Sequence, residues 1–85
     1  MKVVETEQFK TKFAALPASV KTRARKQLAL FLLDWRHPSP QTQKVKGHHD
    51  LWKGRITHSY RFVFRIEGDI YVLLDIGPHD IERQL

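Results

Sequence analysis

The sequence predicts an α+β domain in which a helical hairpin packs on one face of a small, twisted, antiparallel-rich sheet. Three observations predict this fold class. Two segments before residue 36 carry apolar residues at the spacing of buried helices. Residues 36–40 (RHPSP) form a connector with two prolines, where the hairpin stops. Residues 50–80 alternate apolar and polar side chains with the period of two that is typical of half-buried strands.

Composition and charge indicate one folded domain with a polyanionic partner. The chain has 85 residues, of which 41% are hydrophobic and 28% charged, as in ordinary globular proteins. Its net charge of +6 favours nucleic acid or an acidic protein segment as a partner. It contains no cysteine, which excludes disulfides and thiolate metal sites. The N-terminus becomes charged too early for a signal peptide, and no apolar run approaches the ~20 residues that a membrane-spanning helix needs. We therefore expect a cytoplasmic protein.

Residues 2–17 predict a strand followed by a helix. Residues 2–5 (KVVE) form a short strand that we expect at the edge of the later sheet. A helix then begins at Thr6 or Glu7, and Pro17 ends it because the residue before a proline is pushed out of the helical region. Its apolar stripe follows the i, i+4, i+7 spacing: Phe9, Phe13 and Leu16.

A second helix is expected to begin at an N-cap at Ser19 or one or two residues earlier. Its apolar stripe contains Val20, Ala24, Leu28, Phe31, Leu32 and Trp35. Its charged side contains Lys21, Arg23, Arg25 and Lys26. These four cations form either a solvated helix face or a contact with a nucleic-acid backbone.

Residues 50–80 predict a three-stranded antiparallel meander, because successive side chains of a strand point to opposite faces. The apolar face contains Trp52, Gly54, Ile56, Phe62, Phe64, Ile66, Ile70, Val72, Leu74 and Ile76. The opposite face contains Lys53, Arg55, Thr57, Arg61, Val63, Arg65, Tyr71, Leu73 and Asp75. We expect the helices to cover the apolar face and to leave the basic face open.

The hairpin loops fix which residues face each other. Loops with an odd number of residues, at 57–59 and 67–69, keep the faces matched. This register places Arg55 opposite Arg61, and Arg61 opposite Asp75. Two facing arginines are mildly destabilising, and one carboxylate offsets only part of that cost. The arrangement therefore predicts an anion site.

The histidines near the start of the meander do not predict a metal site. His48 and His49 are adjacent on an irregular loop, a placement in which two side chains rarely converge on one ion, and His58 belongs to a distant hairpin. Of the aromatic residues, Trp52 shares the phase of Ile56 and is expected in the core. Tyr71 is expected on the open face beside Arg65, where it could stack on a base.

The motifs KxxGxxDLW, SYRxxF and IGxHD occur in this order within residues 44–80, after two helices of suitable length. Together they resemble the RelE/ParE toxin superfamily of type II toxin-antitoxin systems, most closely its RelE messenger-RNA interferase branch. The resemblance covers nearly the whole chain and implies a single RelE-like β-α-α-β-β-β domain over residues 1–85. It also implies an endoribonuclease without a cofactor that cuts mRNA in the ribosomal A site, and a cognate antitoxin that covers the basic face in a hetero-oligomeric complex.

The resemblance assigns catalytic roles to Lys53, Arg55, Arg61 and His79. RNA contacts are expected from Lys44, Lys46, Arg65, Tyr71 and Arg83. The position of His79 holds Arg or His in relatives, so histidine fits the pattern. Many relatives carry a base-stacking aromatic residue a few positions later, where this chain has Arg83 and Leu85.

RNA cleavage without a metal uses the 2′-hydroxyl as nucleophile and needs a base, an acid and cations for the phosphoryl charge. His79 is the candidate acid because an imidazole can carry a proton at neutral pH, and Asp80 could orient it. Arg55 and Arg61 are assigned to the phosphate, whose oxygens match guanidinium forks. Lys53 is either a third phosphate ligand or the general base.

Two other functions stay open on the sequence. A ParE-like inhibitor of DNA gyrase would share the fold and lack nuclease activity. A non-catalytic module would only bind its antitoxin. Taken as isolated residues, the arginines also fit a solvated strand face, and His79 fits a surface histidine after a Gly-Pro turn.

Overall fold

The protein is described from a computed structural model that covers residues 2–48 and 50–84, with side chains through residue 81. Its elements occur in the order β1 (Lys2–Glu5), α1 (Glu7–Ala14), α2 (Ala18–Leu33), β2 (Gln43–Lys44), β3 (Trp52–Arg55), β4 (Tyr60–Glu67), β5 (Ile70–Pro78) and a C-terminal 3₁₀ helix (His79–Gln84). The predicted strand, helical hairpin and three-stranded meander are all present. The two-residue strand β2 was not predicted.

The five strands form one sheet in the order β1-β5-β4-β3-β2. β1 runs parallel to β5, and all the other neighbours are antiparallel. The parallel pair is possible because a long connection, residues 6–69, joins the two strands and contains both helices and the strands β2 to β4. The α+β architecture, with two helices on an antiparallel-rich sheet, is confirmed. Within the described residues, neither helix has the length and apolarity needed to cross a bilayer.

The two helices begin in different ways. The Thr6 hydroxyl caps α1 by accepting a 3.2 Å hydrogen bond from the Phe9 N–H, which satisfies one of the amides that a helix start leaves without a partner. α2 begins at Ala18, and its N-cap residue, Pro17, makes no side-chain cap. The expectation of an N-cap at Ser19 is therefore wrong, and the earlier start applies.

The core lies between α2 and the helix-facing side of the sheet. The ring of Phe31 lies 5.2 Å from Phe62, 4.6 Å from Phe64 and 4.7 Å from Tyr71, measured between centroids. Burial of each such side chain contributes about 1.5–3 kcal/mol to folding. The predicted stripe of α2 is wrong at Leu32, which is 45% exposed.

The first hairpin has the predicted register, and Arg55 faces Arg61. The second hairpin does not. Its turn has two residues, with Gly68 at φ 60° in the first position as in type II′ turns, so Glu67 pairs with Ile70. An even loop reverses the predicted phase of the first half of β5.

This reversal overturns two predictions. Tyr71 is 2% exposed and lies in the core against Phe31, so it is not on an open face beside Arg65. A β-bulge after Val63 then adds one residue to β5 and restores the phase for Ile76. As a result, Arg61 faces Gly77, and the predicted pair with Asp75 is wrong.

The second face of the sheet is less open than predicted. Val63 is 1% exposed and Asp75 is 4% exposed. The Asp75 carboxylate forms an ion pair with Lys12 of α1, with 3.0 Å between Nζ and Oδ1. The 3₁₀ helix covers one end of this face, where a Cβ on Gly77 would lie 2.8 Å from Cγ2 of Ile81. The open part of the face is therefore restricted to the side of β3.

Candidate functional site

A cleft of about 120 Å³ opens along β3 on the second face of the sheet. It is lined by Gln41, Gln43, Lys53, Gly54, Arg55 and Arg61. We call these six residues the cationic cleft. Three of the four predicted catalytic residues therefore line one depression. Gln41, which follows the connector, and Gln43 of β2 also line it.

The alternation of β3 explains why two of the cations are neighbours. Lys53 and Arg55 flank Gly54 and point to the same side of the strand. A Cβ at Gly54 would lie 2.4 Å from two ring atoms of Phe62, so only glycine lets the β4 ring pack here. The glycine therefore keeps the core closed beneath the cleft.

Arg61 is held against its own hairpin. Its Nη1 donates hydrogen bonds to the carbonyl oxygens of Thr57 at 2.6 Å, Tyr60 at 3.0 Å and His58 at 3.1 Å. These bonds fix the guanidinium at the end of the cleft next to the β3–β4 turn. Arg61 is half-buried and pairs directly with Arg55 in the β3–β4 ladder, and both residues line the cleft.

The backbone of Arg55 is held on both sides. Its N–H donates to the carbonyl of Pro40, and its carbonyl accepts a 3.1 Å hydrogen bond from Nε2 of Gln27. Gln41 follows Pro40 directly, and Gln43 of β2 pairs with Lys53 in the β2–β3 ladder. The wall of the cleft is thus tied to β3 at two points.

The fourth predicted catalytic residue, His79, lies near the cleft without lining it. It is exposed and starts the 3₁₀ helix directly after β5. Its backbone N–H donates a 2.6 Å hydrogen bond to the carbonyl of Ser59, in the hairpin loop that also binds the Arg61 guanidinium. The structure therefore brings Lys53, Arg55 and Arg61 together and attaches His79 to the adjoining turn.

The predicted RNA contacts are scattered. Lys44 lies over the Trp52 ring, with Nζ 5.5 Å from the centroid, and it lines an open depression of about 410 Å³ together with Lys46 and His48. Arg65 forms an ion pair with Glu67 in which Nε lies 2.8 Å from Oε1 without the alignment of a hydrogen bond. The side chain of Arg83 lies outside the described residues.

Tyr71 does not belong to this surface. Burial raises the pKa of its phenol, and the carboxylate of Asp34 raises it further. Trp52 packs against Trp35, with 5.1 Å between centroids, which confirms its prediction as a core residue. In the part of the chain that the structure describes, no three His, Asp or Glu side chains are grouped to hold a metal ion. His49 lies outside that part.

Sequence reasoning missed three glutamines. Gln27 lies between Ala24 and Phe31 of the apolar stripe at helical spacing, and a polar residue at such a position is the signal that could have identified it. Gln41 and Gln43 had no such signal, because their place beside β3 depends on the pairing of β2.

No protein-family model and no curated protein matches the sequence. Solved structures do match. A YoeB/ParE toxin from Agrobacterium tumefaciens has a TM-score of 0.78 at 20% identity, over 93% of this chain and 99% of that one. RelE in the RelB-RelE antitoxin-toxin complex from Methanococcus jannaschii gives 0.77 at 13% identity, over 95% of each chain.

The intact E. coli RelBE toxin-antitoxin complex gives a TM-score of 0.71 at 20% identity, over 89% of this chain and 93% of that one. All three identities are low, so the likeness concerns the fold. It extends over nearly the full length of each matched chain and includes both helices and the sheet. The protein therefore has the fold of the RelE and YoeB/ParE toxins.

Proposed function

We propose that the protein is the toxin of a type II toxin-antitoxin module and cleaves messenger RNA on the ribosome without a metal ion. The observation that carries this proposal is that Lys53, Arg55 and Arg61 line one cleft. A group of half-buried cations is suited to a phosphodiester, since guanidinium forks match pairs of phosphate oxygens. The RelE-like fold is the second support.

The facing arginines have a direct role in this chemistry. Like charges opposite each other across two strands repel, and a phosphate between Arg55 and Arg61 would convert that repulsion into attraction. As the 2′-hydroxyl attacks, negative charge grows on the phosphoryl oxygens, and cations that are already in place stabilise it without reorganisation. The bonds from Nη1 of Arg61 to its hairpin supply this preorganisation.

Two proton transfers complete the reaction. Lys53 is either a third phosphate ligand or the base that removes the 2′-hydroxyl proton. His79 is the proposed acid for the leaving 5′-oxygen, and its backbone bond to Ser59 holds it beside the turn that carries Arg61. Substrate bound in the cleft would have to extend over this turn to receive the proton from His79.

A cognate antitoxin is the proposed partner in the absence of the ribosome. The net charge of +6 favours an acidic segment. Two of the matched structures are complexes of a toxin with its antitoxin. An antitoxin that covered the cationic cleft would neutralise it and block RNA at the same time. Since translating ribosomes are the proposed target, the proposed location is the cytoplasm.

The test is cleavage of mRNA in translating ribosomes by the purified protein, mapped by primer extension. We expect cleavage by the wild type and a loss of about 10²-fold or more in Arg61→Ala and His79→Ala. Arg23→Ala is the control for Arg61→Ala, because it removes an arginine from an exposed position of α2 that does not line the cationic cleft. No cleavage by the wild type, or cleavage at the wild-type rate by both variants, would refute the proposal.

A ParE-like inhibitor of DNA gyrase is the second candidate. The observation that favours it is that His79 does not line the cationic cleft. Inhibition of gyrase supercoiling by a protein that leaves ribosome-bound mRNA intact would support it. Normal growth of cells in which the protein is expressed without its antitoxin would exclude both the nuclease and the gyrase inhibitor. It would indicate a module that only binds its partner.

A further inference from the structure

The helix α2 buries one amide side chain in the middle of its apolar stripe. Gln27 is 1% exposed and belongs to the same face as Ala24 and Phe31, which are both fully buried. Burial of an amide costs free energy unless its polar groups find hydrogen-bond partners. A hydrophobic side chain of similar size would avoid this cost. The partners of Gln27 therefore indicate what the amide does.

These partners are the two sides of the cationic cleft. Nε2 of Gln27 donates to the carbonyl of Ser39 at 3.2 Å and to the carbonyl of Arg55 at 3.1 Å. Oε1 accepts from the Ser39 hydroxyl at 2.9 Å. Both amide N–H groups and the amide oxygen are thus used. One side chain links the connector before β2 to the end of β3.

The connector needs such a link because it is irregular. Pro40 is fully buried, and its carbonyl accepts from the Arg55 N–H. Gln41 follows with φ 48°, a left-handed conformation that non-glycine residues adopt only when their surroundings hold them. Gln43 then pairs with Lys53. Between these two attachments, Gln41 forms part of the cleft wall.

We propose that Gln27 is a positioning residue of the cationic cleft. It contacts no substrate, and it sets the distance between the connector and Arg55, so that the guanidinium and the wall at Gln41 are held in one arrangement. Only the identification of the bound anion as RNA phosphate rests on the proposed function. The bond between Gln27 and Arg55 is independent of it.

Gln27→Met is the informative variant, because methionine is a good helix former that fills a buried site of similar size without hydrogen bonds. It leaves the carbonyls of Ser39 and Arg55 without their amide donor. Phe31→Leu is the matched control, since it perturbs the same buried face of α2 one turn later and touches neither side of the cleft. Ser39→Ala removes one of the three bonds of Gln27 and should give an intermediate effect.

Two measurements distinguish positioning from simple stabilisation. The first is binding of an RNA trinucleotide in which the 2′-hydroxyl next to the scissile phosphate is replaced by hydrogen, so that it cannot be cleaved. Binding is monitored by the backbone amide shifts of Lys53 and Arg55. The second is hydrogen exchange of the Arg55 amide. We expect Gln27→Met to weaken binding and to speed exchange at Arg55 by about tenfold each. We expect Phe31→Leu to lower the melting temperature and leave binding unchanged.

Wild-type affinity in Gln27→Met, together with exchange at Arg55 no faster than in Phe31→Leu, would overturn the proposal. A wild-type protein that does not bind the trinucleotide would count against the proposed RNA site. In that case, exchange at Arg55 decides the role of Gln27 by itself. Faster exchange in Gln27→Met than in Phe31→Leu supports positioning, and equal exchange rejects it.

Discussion

Arg55 of β3 lies directly opposite Arg61 of β4, and both residues line one cleft of about 120 Å³. The Arg55 backbone is bonded to Pro40 and Gln27, and the Arg61 guanidinium is bonded to its own hairpin. A facing pair of like charges costs up to about 1 kcal/mol. An anion bound in the cleft would be attracted to both side chains.

Inorganic phosphate should stabilise the protein through this pair. We expect added phosphate to raise the melting temperature of the wild type, because a ligand that binds only the folded state stabilises it. The rise should be clearly smaller in Arg55→Ala and Arg61→Ala and unchanged in Arg23→Ala. Thermal unfolding at constant ionic strength, with and without phosphate, measures this change in melting temperature. An equal rise in all four proteins would show that phosphate acts elsewhere.

Gly54→Ala should destabilise the fold. The added Cβ would lie 2.4 Å from Phe62 ring atoms in a closed core, so the ring or the strand must move. Overpacking of this kind costs about 1–3 kcal/mol, measurable by urea unfolding. Phe62→Leu provides space, so the double variant should lose less than the sum of the two single losses. Strict additivity would contradict this contact.

Lys12→Met should destabilise the protein more than Lys10→Met, a matched change in the same helix. Lys12 pairs with the 4% exposed Asp75, whereas Lys10 pairs at 3.6 Å with an exposed glutamate. Loss of a partner from a buried carboxylate costs about 1–3 kcal/mol, and an exposed pair contributes about 0–1 kcal/mol. Urea unfolding of both variants measures the difference. Equal losses would show that the Asp75 pair is no stronger than a surface pair.

Tyr71→Phe should change how stability depends on alkaline pH. Burial and the carboxylate of Asp34 raise the pKa of Tyr71 above its ordinary value near 10, so folding favours the neutral phenol. Its contribution is fully present below about pH 10 and is lost as the pH rises through the raised pKa. The free energy of unfolding of the wild type should therefore fall more steeply above about pH 10 than that of Tyr71→Phe.

Tyr60→Phe provides the control for this measurement, because Tyr60 is only half-buried. It keeps Tyr71 as the only tyrosine of the chain, so we expect the steep fall in stability above about pH 10 to remain. In Tyr60→Phe, phenolate absorbance therefore reports Tyr71 alone and should appear at a higher pH than that of free tyrosine. Absorbance of Tyr60→Phe that rises at the pH of free tyrosine would contradict the burial of Tyr71.

Local sequence patterns predicted the structure correctly where a few neighbouring residues determine it. The spacing of Phe9 and Phe13 predicted α1, although the helix ends at Ala14, before Leu16 and Pro17. A three-residue loop at 57–59 fixed the parity of the first hairpin, so the pairing of Arg55 with Arg61 was predicted correctly. Such predictions succeed because helix periodicity and hairpin parity depend on neighbours in the sequence.

Local patterns did not determine the register of the second hairpin, between β4 and β5. Glu67-Gly68-Asp69 fits a loop of two residues or of three, and a bulge can add one more residue later. The structure has a two-residue turn and a later bulge, and together they bury both Tyr71, against Phe31, and Ile76. The energy of filling the core therefore outweighed the apolar alternation of Ile70, Val72 and Leu74.

By itself, the sequence determined the two helices, the meander and the alternation that exposes Lys53 and Arg55 together, because each depends on residues a few positions apart. Only the tertiary structure decided that Gln41 joins these cations, that Gln27 links the connector to Arg55, and that the His79 backbone is bonded to the neighbouring turn. Those contacts join residues 12 or more positions apart, and long-range packing, which no local period encodes, selects them.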